Sequence, residues 1–407
     1  MAIVEATVSL TEETVARIQQ ELRSLGADGW LLYAFKDNNP IASRILGLQP
    51  MTRRYFVLIP ADGKPVAVTH RIEQQAWTGW IGENRPYSAW RELEERLADL
   101  VRGRRIATEY SGADAVPYVD RLPAGVVEML TAAGAQVVSS ADLVSAFYAR
   151  WTDDGVAAHK RGAQALHDVV HAAFRRVAAA VKAGERITEY GLRGWIAEEQ
   201  KKAGLVVDAD AIVAVNGNAA NPHYAPTEEH DTPIRKGDLL LIDLWGKEAG
   251  DDAIYADQTW MGYVGEEVPE RIRQIWEAAR DARLAACALI RERWDAGQEV
   301  CGYEVDDASR AVIVQRGYGD AFIHRTGHSI DRELHGSGPN IDNLETRDTR
   351  RLITGVGFSV EPGIYLSGDL GFRTEVDVWM GPNGPEVTTP NPQVDVYALL
   401  GPGFGAA

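Results

Sequence analysis

The chain has 407 residues, 45% of them hydrophobic and 25% charged, a composition that fits a globular protein of two or three domains. A formal net charge of -17 with no basic block argues against nucleic acid or an anionic membrane surface as a partner. No run of about 18 apolar residues occurs, and the opening MAIVEATVSLTEETVARIQQ lacks the basic flank and apolar stretch of a signal peptide, so a cytoplasmic, uncleaved protein is expected.

In chain order, Gly29 to Phe35 is a compact apolar strand signal, and Arg54 to Thr69 reads as two strands joined across Ala61-Asp62-Gly63. Further strand signals at Arg105 to Thr108 and Gln136 to Val138 alternate with helical patterns such as Arg91 to Val101, the order of an α/β domain. The character changes near Trp151, where Thr152 caps a long amphipathic helix that runs to about Lys182 and stops at Ala183-Gly184. A boundary is therefore expected there, with domains 1–152 and 153–407. Thr188 caps a second helix ending at Gly204, and after a strand-rich stretch two more helices follow, Pro269 to Trp294 and Gly302 to Arg316. The second half is thus helix pair, strands, helix pair, strands, an order that hints at a duplicated architecture. Cys287 and Cys301 fall in patterns read as helix, and their number and spacing fit neither a disulfide framework nor a zinc knuckle.

Five of the nine histidines, His223, His230, His324, His328 and His335, lie in the second half. In LLLIDLW, Asp243 interrupts a run that should be buried, and a buried unpaired carboxylate costs several kcal/mol, in rough terms, unless a cation or donors compensate it. A hairpin of Leu239 to Trp245 with Ala253 to Trp260 places Asp243 opposite Asp257. A second, Phe358 to Tyr365 with Phe372 to Trp379, folded about Ser367-Gly368-Asp369, places Glu361 opposite Glu375. Arg373 shares the face of Glu375 and can orient a carboxylate there. Four carboxylates and a histidine describe a site for two cations; structural acids paired with arginines are the alternative. His167 and His171 stand at the i and i+4 spacing of a zinc-binding helix, but Asp168 replaces the general-base Glu, and an ordinary partly exposed helix face is expected. His70, His159 and His230 are assigned no more than solvation or ordinary hydrogen bonds.

Six segments in order resemble the pita-bread metallopeptidases, the family of methionine aminopeptidase, aminopeptidase P, prolidase and the metal-free creatinase. They are NPHYAP at His223, LLLIDLW at Asp243, YADQTW at Asp257, HRTGHSIDRELHGSGP at His328 and His335, SVEPGIY at Glu361, and GFRTEVDVW at Glu375. The first 150 residues are similar to the N-terminal domain of the creatinase, prolidase and aminopeptidase P branch. The resemblance implies an α+β chain in which a smaller α/β domain precedes a pita-bread catalytic domain. It implies two divalent metal ions, with Asp243 on one, Asp257 and Glu375 bridging both, and His328 with Glu361 completing the other. Thr259 occupies the family's supporting threonine position, Arg373 supports the carboxylates, and His324 stands between support of the site and structural packing. Glu361, His335 and His223 are the implied catalytic groups. An oxygen-rich set suits Mn²⁺, with Co²⁺ or Zn²⁺ also possible.

The expected activity is an exopeptidase acting on Xaa-Pro bonds of peptides, leaning to aminopeptidase P through His223-Tyr224. Prolidase, a broader aminopeptidase and a non-catalytic peptide-binding relative are the alternatives. A homodimer or homotetramer is implied, with one subunit's N-terminal domain restricting another's cleft. Two departures stand out. The stretch between Asp243 and Asp257 is longer than usual, so Asp251 or Asp252 competes with Asp257 as a ligand, and Gly336 follows His335 where the family commonly has Glu.

Overall fold

The computed structural model describes residues 10–49 and 51–404. It divides into two compact units between Tyr148 and Ala149. The expectation about the N-terminus concerns a segment whose first nine residues lie outside the described ones. No helix among the described residues is long and apolar enough to cross a membrane.

In the first unit the helices are α1 (Glu12–Leu25), α2 (Pro40–Leu46), α3 (Trp90–Val101), α4 (Ala124–Ala132) and α5 (Ala141–Phe147). Its strands are β1 (Gly29–Ala34), β2 (Tyr55–Pro60), β3 (Val66–His70), β4 (Glu83–Tyr87), β5 (Arg105–Thr108) and β6 (Gln136–Ser139). They form one sheet in the order β4-β3-β2-β1-β5-β6. Because strand side chains alternate, β1 sends Trp30, Leu32 and Ala34 into one core with α1, α2 and α5, and Leu31 and Tyr33 into another with α3 and α4. Burial on both faces is why GWLLYA reads as an uninterrupted apolar run.

The second unit opens with α6 (Asp153–Ala183) and α7 (Glu189–Lys202). Their starts are set locally: Thr152 Oγ1 accepts the Gly155 N–H at 3.0 Å, and Thr188 Oγ1 accepts the Gly191 N–H at 3.1 Å. Gly184 ends α6 at φ 71°, the left-handed conformation that suits glycine. Strands β7 (Leu205–Val206), β8 (Ile212–Val215), β9 (Leu239–Glu248) and β10 (Ala256–Tyr263) follow. Next come α8 (Glu270–Asp295), α9 (Gly302–Gln315), β11 (Ser329–Ile330), β12 (Gly357–Val360), β13 (Gly363–Leu366), β14 (Leu370–Arg373), β15 (Val376–Gly381), β16 (Gly384–Val387) and β17 (Tyr397–Ala398). One sheet runs β17-β10-β9-β7 with β8 also on β9, another runs β11-β12-β15-β16, and β13 pairs with β14.

Side-chain alternation decides where the acids point. Leu240, Ile242 and Leu244 of β9, with Ala256 and Trp260 of β10, pack under α6 and α7. Asp243, Asp257 and Thr259 therefore face the other way, on the side of Leu241 and Met261, which belong to the core that includes Trp276 of α8. In the other sheet Phe358, Val360, Val376 and Val378 pack with Ile290 of α8 and Val305 of α9, which turns Ser359, Glu375 and Asp377 to the opposite face.

The β9–β10 register differs from expectation: Asp243 pairs with Thr259, and Asp257 pairs with Trp245. The connection is lopsided, because β9 continues to Glu248 while β10 begins only at Ala256. The slip is an even number of residues, so both aspartates keep the same face. In the second hairpin β12–β15 and β13–β14 share one register, in which Glu361 and Glu375 oppose each other across an interruption at Pro362 and Thr374. Neither cysteine is in a disulfide, and Cys301 sits at the N-cap of α9 rather than within a helix.

Candidate metal centre

Asp257, His328 and Glu375 each offer a ligand atom, and these atoms lie within 4.8 Å of one another, a grouping able to hold a metal ion. His328 Nε2 is 3.6 Å from Asp257 Oδ2 and 3.3 Å from Glu361 Oε1. The other ring nitrogen, Nδ1, is 3.1 Å from the Ser329 carbonyl, which requires a donated N–H there and leaves the Nε2 lone pair aimed at the acids.

Asp243 completes the cluster through Arg373, whose guanidinium donates to Asp243 Oδ2 and, from Nε, to Thr259 Oγ1 at 3.0 Å. The same guanidinium reaches Tyr365 Oη at 3.3 Å, the Pro222 carbonyl at 3.4 Å and Glu361 Oε2 at 3.9 Å. Thr259 Oγ1 in turn donates to Glu375 Oε2 at 2.7 Å. Ser359 Oγ accepts the His328 N–H and donates to Glu361 Oε1 at 3.1 Å. Asp243, Glu375 and Glu361 thus each have one oxygen held by a neighbouring side chain.

The remaining oxygens are the informative ones. Asp243 Oδ1, Asp257 Oδ1 and Glu375 Oε1 are buried without a hydrogen-bond partner. Buried polar atoms are normally satisfied, and three orphaned carboxylate oxygens in one cluster fit a cation. The electrostatics agree. Burial, then the charges of Asp243 and Glu361, push Asp257 well above the usual carboxylate range; burial and Asp257 do the same to Glu375. Asp243 is also raised by burial, against the pull of Arg373. Burial pushes Glu361 up as well, but His328, His324, Arg373 and Arg325 outweigh it and hold Glu361 below its ordinary value. The donor set, four carboxylates and one imidazole, suits hard or borderline divalent ions.

The structure separates the competing aspartates: Asp251 and Asp252 are exposed in the turn, and Asp257 is the one beside His328 and Glu375. His335 lies next to His328, ring centroids 4.3 Å apart, and is pushed down to about 4, first by His328 and then by desolvation. It borders a cavity of about 410 Å³ with Asp208, Trp245, Tyr255 and Leu334. His223 is exposed on the loop before β9, close enough for its charge to act on His335. His324 is half-buried: Nδ1 is 2.6 Å from the Arg325 carbonyl and Nε2 is 2.8 Å from Tyr365 Oη, so it steadies the tyrosine that Arg373 touches. Tyr224, read as part of the His223 context, instead donates to Glu189 Oε2 at 2.7 Å. His167 and His171 face Trp260, each with its ring centroid 5.4 Å from that of the indole, so the pair is a partly exposed helix face packed on that indole.

Sequence reasoning missed Asp377. It is fully buried, and its Oδ2 accepts the Asp257 N–H at 2.9 Å. Its place two residues after Glu375, on the same strand face, was a usable signal. Ser359 and His159 gave none. His159 bridges the Tyr255 carbonyl and Thr388 Oγ1, both at 2.7 Å, behind the cluster.

Residues 161–382 match the family model described as metallopeptidase family M24. Among curated proteins, an Xaa-Pro dipeptidase from Lactobacillus delbrueckii subsp. lactis is 34% identical over 175 residues, 43% of each chain. A probable dipeptidase PepE from Mycobacterium tuberculosis is 28% identical over 325 residues, 78% of this chain and 79% of that one. The match thus spans less than half the length of the Lactobacillus relative. Among solved structures, dipeptidase PepE from Mycobacterium ulcerans superposes with a TM-score of 0.69 at 24% identity, covering 95% of this chain and 96% of that one. That likeness extends over both units, so the fold is the expected α+β one, a pita-bread unit preceded by a smaller α/β unit.

Proposed function

The chain belongs to metallopeptidase family M24, and on that footing we propose that it is a dinuclear metal-dependent exopeptidase that hydrolyses the bond between an N-terminal residue and a following proline. The observation that carries the reading is the set of three orphaned buried oxygens on Asp243, Asp257 and Glu375, beside an imidazole nitrogen turned towards them. A peptide-binding relative without turnover would keep these acids at a large electrostatic cost and to no purpose.

Asp243, Asp257, His328, Glu361 and Glu375 would hold the two ions, most simply Mn²⁺, with Co²⁺ or Zn²⁺ as alternatives. Such ions supply a bound water of near-neutral pKa and Lewis acidity towards a peptide carbonyl. Arg373 and Thr259 hold Asp243 and Glu375 in place, and Asp377 fixes the backbone at Asp257. Glu361, kept ionised by its cationic neighbours, takes a proton from the attacking water and delivers it to the leaving nitrogen. His335, neutral at pH 7, donates an N–H to the carbonyl oxygen as charge grows there. His223, exposed on its loop, is assigned to the scissile nitrogen region.

Proline's imide lacks an N–H and fixes φ near about -65°, so a cleft shaped to it accepts a bond that general peptidases handle poorly. The names of the relatives favour a dipeptide substrate. The lean to aminopeptidase P rests on His223-Tyr224, and of these the Tyr224 hydroxyl is engaged with Glu189 and reports nothing about substrate length. We assign peptide as the substrate and a homodimer or homotetramer as the assembly, in a cytoplasmic setting. The test is kcat/KM with Mn²⁺ for Xaa-Pro, Xaa-Pro-Yaa and Xaa-Ala-Yaa. Preference for Xaa-Pro supports the dipeptidase, preference for Xaa-Pro-Yaa supports the aminopeptidase P form, and preference for Xaa-Ala-Yaa overturns proline specificity.

A further inference from the structure

His335 sits on a short turn after β11, and the residue that organises this turn is Asp331. Asp331 is 1% exposed. Its Oδ1 accepts the Glu333 N–H at 2.8 Å and its Oδ2 accepts the Ser337 N–H at 3.2 Å. Those two amides flank His335 symmetrically, two residues before it and two after it. The Asp331 main chain is tied as well: its N–H reaches the Glu333 carbonyl at 3.1 Å and its carbonyl accepts the Tyr255 N–H at 3.0 Å. One buried carboxylate therefore clamps both sides of the segment that carries the proposed oxyanion donor.

Gly336 is the counterpart of that clamp. A Cβ at position 336 would lie 2.8 Å from Asp331 Cγ, 2.8 Å from Asp331 Oδ2 and 2.9 Å from Ser329 Oγ. Such separations are well inside van der Waals contact, and Asp331 is too short and too tightly bonded to swing away. A side chain at 336 and the Asp331 carboxylate are thus mutually exclusive. The resemblance leads one to expect an acid directly after the histidine; here glycine stands there, and an acid from five residues earlier fills the space.

We propose that Asp331 is the positioning residue for His335, that Gly336 exists to admit its carboxylate, and that the two positions form one interdependent unit. This rests on the reading of His335 as the group that meets the substrate carbonyl. Misplacing such a group by about 1 Å can cost on the order of 10²-fold in rate, so loosening the turn should lower kcat more than it changes KM.

The test is a cycle on the full-length, metal-loaded protein with metal content and Tm recorded: Asp331→Ala, Gly336→Ala, the double variant, and Asp331→Asn. Asp331→Ala is expected to lower kcat about 10- to 100-fold with KM and metal stoichiometry unchanged. Asp331→Asn keeps the volume, loses one acceptor and should fall between. Gly336→Ala should be as damaging as Asp331→Ala; because the added Cβ also meets Ser329 Oγ, the double variant is compared in a Ser329→Ala background, where it should be no worse than Asp331→Ala in the same background. Combined with His335→Ala, Asp331→Asn should cost nothing further. Additive losses at 331 and 336, or an unchanged kcat in Asp331→Ala, overturn the proposal. If His335→Ala loses turnover while Asp331→Ala does not, only the positioning proposal fails; if His335→Ala itself keeps full turnover, the reading of His335 fails and takes the proposal with it. Should Gly336→Ala not fold, Asp331→Asn against His335→Ala decides alone.

Discussion

Thr259→Val removes a hydroxyl while keeping the shape and β-branching that suit β10. That hydroxyl donates to Glu375 Oε2 at 2.7 Å and accepts from Arg373 Nε at 3.0 Å. In the metal-free chain burial and then Asp257 push Glu375 well above its ordinary value, which favours its neutral form, and in that form the bond joins neutral partners. With a cation bound Glu375 is ionised, and the same bond becomes charge-assisted. Hydrogen bonds between neutral groups contribute about 0.5 to 1.5 kcal/mol net, and those to charged groups about 1.5 to 3. The difference, about 1 to 1.5 kcal/mol, belongs to metal binding and corresponds to roughly tenfold in affinity. Calorimetric titration of the metal-free protein with Mn²⁺ should show that loss, beyond a lowering of the metal-free Tm that reports the neutral bond alone. Affinity equal to that of the parent protein would refute the idea that Thr259 acts by holding an ionised Glu375.

Asp257→Ala or Glu375→Ala should release both ions, read by elemental analysis, whereas Asp251→Ala and Asp252→Ala should retain them. In chelator, Asp257→Asn should raise Tm, because burial and the charges of Asp243 and Glu361 make that carboxylate unfavourable without a cation. His335→Ala should keep both ions and lose roughly 10² to 10⁴ in kcat under steady-state assay. The two units should respond oppositely to pH. Glu109, buried under donors Trp30, Asn39 and Ser140, is pushed up by burial to about 7 from 4.5, so the folded first unit holds the extra proton and loses stability as pH rises across that window. His159 is pushed down by burial to about 4 from 6.5, so the second unit loses stability as pH falls from 6.5 towards 4. Hydrogen exchange, corrected for its intrinsic pH dependence, should show peptides of 10–148 opening faster at pH 7 than at pH 5 and peptides around His159 doing the reverse.

What could be read from the sequence follows how local each determinant is. The starts of α6 and α7 were legible because Thr152 and Thr188 cap them within three residues, and the apolar run of β1 announced a strand buried on both faces. Asp243 and Asp257 stood out because strand alternation turns them away from apolar neighbours, which holds whatever the turn does, while the resemblance supplied His328 and the ligand roles. The pairing of Asp243 was not, since a lopsided turn moved it from Asp257 to Thr259. The alternation that put Asp377 on the face of Glu375 was visible, but its partner Asp257 is 120 residues away, and the partners of His159 are 96 and 229 residues away, beyond any spacing rule. The exchange between Asp331 and Gly336 was half visible: the glycine stood out as a departure, but only the fold shows which carboxylate takes its space.

The most direct test of the central claim is metal stoichiometry measured together with turnover of an Xaa-Pro dipeptide, before and after exhaustive chelation and after Mn²⁺ is restored. Two ions per chain, loss of both ions and of hydrolysis in chelator, and recovery of both with Mn²⁺ are the predicted results. Full hydrolysis by protein verified to be metal-free would contradict the account.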